Sequence, residues 1–126
     1  MKILNLFHSI FILLIFFVGT NVGSITAGAS PIISDPITRI YTKISIDSIK
    51  NLYEPLMQFE KYDDLITKQK TVIELSRKIY EPNSAEIAEE NHWMGYFLSQ
   101  CNSYSEAIKY VHTSAKIYDV LGDEYL

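Results

Sequence analysis

The stretch "KYDDLI" (Lys61–Ile66) has a counterpart 42 residues further on, "SYSEAI" (Ser103–Ile108). Both run from a polar residue through a tyrosine and small or acidic residues to an aliphatic position. The same offset pairs Leu52 with Met94, Leu56 with Leu98, Phe59 with Cys101, Ile73 with Ala115, Leu75 with Ile117 and Ile79 with Leu121. Apolar meets apolar well beyond the hexapeptide. A sustained period of this length is the mark of stacked helical hairpins, because one hairpin cannot bury both sides of its second helix and needs another against it.

The surrounding sequence predicts helices. No glycine lies between Gly28 and Gly95, and from Ser45 onward apolar residues recur at helical intervals, with little of the alternation that marks strands. "EPNSAE" (Glu81–Glu86) closes one helix and opens another, with Asn83 or Ser84 as N-cap and Glu86 in the first turn. The helix that follows carries Ile87, Asn91, Met94, Leu98 and Cys101 on one stripe. Ser103 and Glu106 have the S-x-x-E spacing of a capping box. The last helix is apolar on two faces. Tyr104, Ala107, Ile108, Val111, Ala115 and Tyr118 form the expected packing face, and Tyr110, Ile117 and Leu121 the second. Gly122 supplies the stop. Pro55 falls inside the first predicted helix, so a kink or an end near Tyr53 is expected.

Three segments follow. Residues 1–29 read as a signal peptide or an N-terminal membrane anchor: Lys2 is the one charge before Asp35, "IFILLIFFV" (Ile10–Val18) is apolar, and Ala27, Gly28 and Ala29 make a small-residue exit. Residues 3–18 come close to the length of a membrane span, and an apolar start wrongly joined to a cytoplasmic domain is a third reading. Residues 30–44, "SPIISDPITRIYTKI" with two prolines, read as a linker. Residues 45–126 form the helical domain. Export to the secretory pathway is the expected localisation. Membrane contact is expected only if the leader stays attached.

Composition narrows the function. Without the leader, ten Lys and Arg stand against fifteen Asp and Glu, a net charge of −5. That balance argues against nucleic acid as partner. Cys101 is the single cysteine, so no internal disulfide can form. Glu89 and His92 make one E-x-x-H pair, whereas a di-iron bundle needs two and further glutamates. His92, Cys101 and His112 lack the paired spacing of a zinc site. Neither Cys101 nor Ser114 has a motif supplying a base and an oxyanion pocket, and no glycine-rich phosphate loop occurs. No enzyme activity and no cofactor are expected.

"MGYFLSQCNSYSEAIKYVHTSA" (Met94–Ala115) resembles a tetratricopeptide repeat. Met94 and Gly95 match the large-then-small pair of the first helix, Leu98 the next core position, and Asn102 the turn glycine. Tyr104, Glu106, Ala107 and Ile108 match the Y-x-E-A-I start of the second helix. Asn91 stands at the usual tryptophan position, with Trp93 two residues on, and Ser114 at a customary alanine. In the first copy Leu65 and Tyr53 replace the small residues of the close approach. The 42-residue length is similar to kinesin light chain repeats and to the C-terminal helical tail of SET- and MYND-domain lysine methyltransferases. "IELSRKIYEPNSAEIAEE" (Ile73–Glu90) looks most like that tail.

The resemblance implies an all-α fold, a right-handed stack of two tetratricopeptide-like hairpins behind an apolar leader helix. Its packing positions are Tyr62, Leu65, Ile66, Met94, Gly95, Leu98, Tyr104, Ala107, Ile108 and Val111. It also implies a non-catalytic scaffold that binds a protein or peptide. The candidate groove is lined by Glu89, His92, Trp93, Tyr96, Ser99 and Gln100. None of these is cationic at neutral pH, so an aromatic or basic peptide fits better than the acidic tail of a chaperone. An uncapped last helix, open on Tyr110, Ile117 and Leu121, would favour a homodimer. Two other origins fit the same residues: a truncated SET/MYND relative without its catalytic part, and a small secreted effector.

Overall fold

The computed structural model describes residues 31–122, so the leader read at 1–29 lies outside the described residues. All regular structure among those described is α-helical, without a strand. Four long helices and one short one follow in order: α1 (Pro36–Lys50), α2 (Tyr53–Gln58), α3 (Tyr62–Ile79), α4 (Ala85–Gln100) and α5 (Tyr104–Leu121).

Helix α1 starts inside the segment expected to be a linker. The Asp35 carboxylate accepts from the Thr38 backbone N–H at 2.7 Å, and Pro36 takes the first helical position. A short acceptor at the N-cap and a φ already set for the helix form a start signal. The linker over 30–44 is therefore corrected: helix begins at Pro36. The N–H of Ile33 reaches the Lys78 carbonyl at 2.6 Å and ties the approach to the far end of α3.

Pro55 has the expected effect. Helix α1 ends at Lys50, and the chain restarts at Tyr53, which leaves Pro55 in the first turn of α2. A proline there removes no helical hydrogen bond, and the break falls where its ring would have met the carbonyl four residues back.

The turns at the ends of α2 and α4 are the same. After α2, the N–H of Lys61 bonds the Leu56 carbonyl at 2.9 Å, the N–H of Glu60 bonds that of Met57 at 3.0 Å, and Glu60 has φ 53°. After α4, the N–H of Ser103 bonds Leu98 at 3.0 Å, the N–H of Asn102 bonds Ser99 at 3.1 Å, and Asn102 has φ 58°. Each is a Schellman turn with a left-handed residue satisfying the last carbonyls of a helix. The four residues of one are each 42 positions from those of the other, so the spacing seen in the letters recurs in the backbone. The turn also overrules the capping box. The Ser103 N–H is committed to Leu98, which leaves Glu106 nothing to accept, and the Ser103 side chain makes no cap bond.

Consecutive helices pack on one another, α1 and α2 on α3, α3 on α4, and α4 on α5. Helix α4 is central and buries Ile87, Ala88, Met94, Gly95, Phe97 and Leu98. Between α3 and the first two helices lie Ile46, Tyr53, Leu65, Val72 and Ile79, with Phe97 reaching in from α4. Ile73, Met94, Leu98 and Ala107 continue the core, and Ile87, Ala88 and Ile117 close it. At Gly95 helix α4 lies close against α5: a Cβ there would lie 2.5 Å from Val111 Cγ2 and 3.2 Å from the Ala107 carbonyl oxygen. Glycine is required by that approach.

Helix α5 is rotated from the expected orientation. Ala107, Tyr110, Ser114, Ile117 and Leu121 face the core, while Tyr104, Ile108 and Val111 are exposed. Tyr110, Ile117 and Leu121, expected to be open, pack inward. Of the residues expected to pack, Ala107 and Tyr118 do and Val111 lies with its Cγ2 against Gly95, while Tyr104, Ile108 and Ala115 lie outside. Both stripes have helical period and comparable hydrophobicity, so periodicity could not rank them. Ala107 and Ser114, small enough to let the backbones approach, decide it. Tyr62 and Tyr104 also differ: Tyr62 is half-buried in the core wall, and Tyr104 is exposed with its hydroxyl donating to Asn102 Oδ1 at 2.8 Å.

Candidate functional site

Of the six groove residues, Glu89, Trp93, Tyr96 and Gln100 recur at i, i+4, i+7 and i+11 along α4 and share one line. Glu89, Tyr96 and Gln100 are exposed, and Trp93 is half-buried. His92 is exposed beside them. Ser99 is set apart chemically, because its hydroxyl donates to the Tyr96 carbonyl at 2.7 Å and is spent on its own helix.

Trp93 and Tyr96 form an aromatic ledge. Their rings meet edge to face at 6.0 Å, and Trp93 rests on Phe97 at 5.5 Å and on Tyr53 at 6.2 Å. Such pairings hold the indole in place, and its N–H donates to Glu89 Oε1 at 3.4 Å. At the other end, Gln100 joins this line to a hollow of about 400 Å³ that it shares with Glu60, Tyr62, Asp63 and Cys101. Burial, and then the Tyr96 phenol beside it, pushes the Tyr62 phenol above its ordinary value. Burial, and then the Asp63 carboxylate, does the same to the Cys101 thiol, which points at Asp63 Oδ1 from 3.8 Å. A thiol kept protonated in this way is a poor nucleophile.

Beneath the ledge lies a buried polar chain that the sequence reading missed. The Tyr53 hydroxyl donates to Gln69 Oε1. Gln69 Nε2 donates to the Glu90 carbonyl at 2.7 Å and to Glu90 Oε2 at 2.9 Å. Glu90 Oε1 accepts from Lys50 Nζ at 2.8 Å, and Lys50 also reaches Glu89 at 3.4 Å. Four helices are linked through four side chains. Burial opposes the Lys50 charge, but the hydrogen bond and charge of Glu90, with Glu89 behind them, outweigh it and raise the Lys50 pKa. Burial, and then the Glu90 charge, raises the Tyr53 pKa. A signal did exist for two of the four. Gln69 interrupts the run Leu65, Ile66, Val72, Ile73, and Glu90 sits between Ile87 and Met94 on the buried stripe.

The electrostatic result is one-sided. Lys50, which reaches Glu89 beside Trp93, is occupied by two carboxylates, while Glu89, Glu60 and Asp63 border the aromatic surface. A second, shallow cleft of about 610 Å³ opens near Arg77, Asn102, Glu106, Lys109, Tyr110 and Thr113. It mixes both signs of charge, and the sequence reading singled out neither Arg77 nor Lys109. Among the described residues, no cluster of three His, Cys, Asp or Glu side chains could hold a metal ion, and no helix is long and apolar enough to cross a membrane.

Comparison with protein-family models, with curated proteins and with solved structures returns no match to this chain.

Proposed function

We infer that the chain is a non-catalytic binding module, two tetratricopeptide-like hairpins that present the α4 ledge to a peptide carrying basic and aromatic side chains. The observation that carries this reading is the ledge itself: Trp93 and Tyr96 held by ring contacts, bordered by carboxylates, with Lys50 already neutralised. An indole face beside acidic groups attracts a guanidinium or ammonium, and fixed aromatic anchors are what small interfaces rely on. The repeated turn at 42 residues supports the hairpin pairing. The leader read at 1–29 would place this activity in the secretory pathway, which sequencing the N-terminus of the native protein checks.

Trp93 is the single tryptophan and so reports on the site directly. A peptide with alternating arginine and aromatic residues is expected to shift its fluorescence and saturate. The same peptide with glutamate for arginine is expected to leave it unchanged. Glu89→Lys should weaken the basic peptide about tenfold, the scale of one partly exposed charge contact. Equal binding of both peptides, or indifference to Glu89→Lys, would overturn the reading.

A further inference from the structure

Both ends of the helical row carry an exposed apolar stripe. On α1 and α2 it runs through Ile37, Ile40, Tyr41, Ile44, Leu52 and Phe59, and on α5 through Tyr104, Ile108 and Val111. Exposed apolar side chains gathered on one helix face are the raw material of an interaction site. What covers it is indicated by a joint that the chain already contains.

At the joint between α3 and α4, Ile66 and Ile73 pack with Met94 and Leu98. Tyr62 lies beside Tyr96 and Cys101. Moving the α3 members forward by 42 residues gives Tyr104, Ile108 and Ala115, all exposed on α5. Moving Met94 and Cys101 back by 42 gives Leu52 and Phe59, exposed at the other end. Apart from Leu98, whose counterpart Leu56 packs on the core, the residues packed in the joint thus have counterparts left open at the two ends, as complementary halves of one contact. Tyr104 is 58% exposed, Ile108 66%, Leu52 44% and Phe59 73%. Ile44, 53% exposed, extends the second half along α1.

We propose that copies of this chain associate head to tail, with the outer stripe of α5 in one copy seating on the outer stripe of α1 and α2 in the next. In the internal joint Glu90 has Ser48 as its counterpart, its partner Gln69 has Val111, and Asp63, which faces Cys101, has Ser105. The external joint therefore needs no buried ion pair. A contact between two different faces does not close on itself as a twofold dimer does. It leaves a free face at each end and lets the assembly grow with concentration. The inference rests on the 42-residue equivalence of the hairpins and is independent of any peptide bound on α4.

Sedimentation of the full chain over about a hundredfold range of concentration tests it, with Ile44→Asp and Ile108→Asp each blocking one face. Both positions lie outside the core, so the helical content should be that of the parent by circular dichroism. Tyr104→Ser serves as a second α5 variant. The parent is expected to grow past the dimer, and each variant alone to stay monomeric with association weakened at least tenfold. An equal mixture of the two should form a one-to-one dimer and nothing larger, because each retains the face that the other has lost. Three outcomes overturn the proposal. The parent stays monomeric, as it would if the leader covered the α1 stripe. Ile44→Asp alone still dimerises, which means an α5 to α5 contact. The mixture fails to associate. The Trp93 titration in the same samples keeps a failure of the peptide reading separate from a failure of this one.

Discussion

Helices α3 and α5 leave identical turns and carry related stripes, yet the fold treats them oppositely. On α3, Tyr62 and Ile66 lie against neighbours; on α5, Tyr104 and Ile108 lie in the open. The hairpins also differ at their closest approach. The second uses Gly95 against Ala107 and Val111, where the first uses Tyr53 and Leu65, both buried, and adds the polar chain through Gln69 to Glu90. A residue in such a stripe therefore has no fixed energetic worth. Its contribution depends on which helix lies over it.

The largest expected effect isolates that point. Ile66→Asp should cost about 3 kcal/mol or more, because it places a charge against apolar side chains. Ile108→Asp, its counterpart, should change stability by no more than about 0.5 kcal/mol. Urea midpoints of the two variants at low protein concentration give the comparison directly, and equal losses would erase the distinction between the helices.

Next comes the polar chain of the first hairpin. Lys50→Met leaves Glu90 buried with only Gln69 to bond, and about 2–3 kcal/mol should be lost, the low side for a broken buried pair because Lys50 keeps some water. Adding Glu90→Gln should restore part of it. The same chain predicts alkaline instability. Lys50 and Tyr53 both have folded pKa values raised above their unfolded ones. Each therefore contributes fully below the unfolded value, near pH 10, and loses its contribution as pH rises toward the folded value. Denaturant midpoints should hold steady from pH 7 to 9 and fall above about pH 10, less steeply in Tyr53→Phe, where no phenolate can form.

Gly95→Ala sharpens the contrast in the second hairpin. A gain in helix propensity of about 1 kcal/mol opposes a clash with the Val111 side chain and the Ala107 backbone, for a net loss of about 1–2 kcal/mol. Adding Val111→Ala should recover most of it in a thermal melt, since Val111 Cγ2 is the nearer of the two obstructions. The smallest effect has the opposite sign. Ser76 is buried with its hydroxyl unpaired, and Ser76→Ala should raise stability by up to about 1 kcal/mol.

Much of the helical plan was legible in the letters. The break at Pro55, the Ser84 cap, which accepts from Ile87 N–H at 3.3 Å, the Gly122 stop with φ 81° and the close approach at Gly95 are local matters of dihedral, missing donor or missing Cβ. The start of α1 was legible too, in Asp35-Pro36, but two prolines and an apolar outer face disguised it as a linker. Of the candidate site, Glu89, Trp93, Tyr96 and Gln100 came from the resemblance to the repeat family, and helical spacing then puts them on one line. The ion pairs that neutralise Lys50 were not legible, because their members lie 39 and 40 residues apart.

What the sequence determined by itself, then, was the all-helical character and most of the helix ends, since each depends on residues within a few positions of one another. Which of two apolar faces of α5 turns inward, and which polar side chains are enclosed, was decided only in the tertiary structure. Those choices depend on the volume of side chains brought together from distant parts of the chain, and a helical period reads the same from either side.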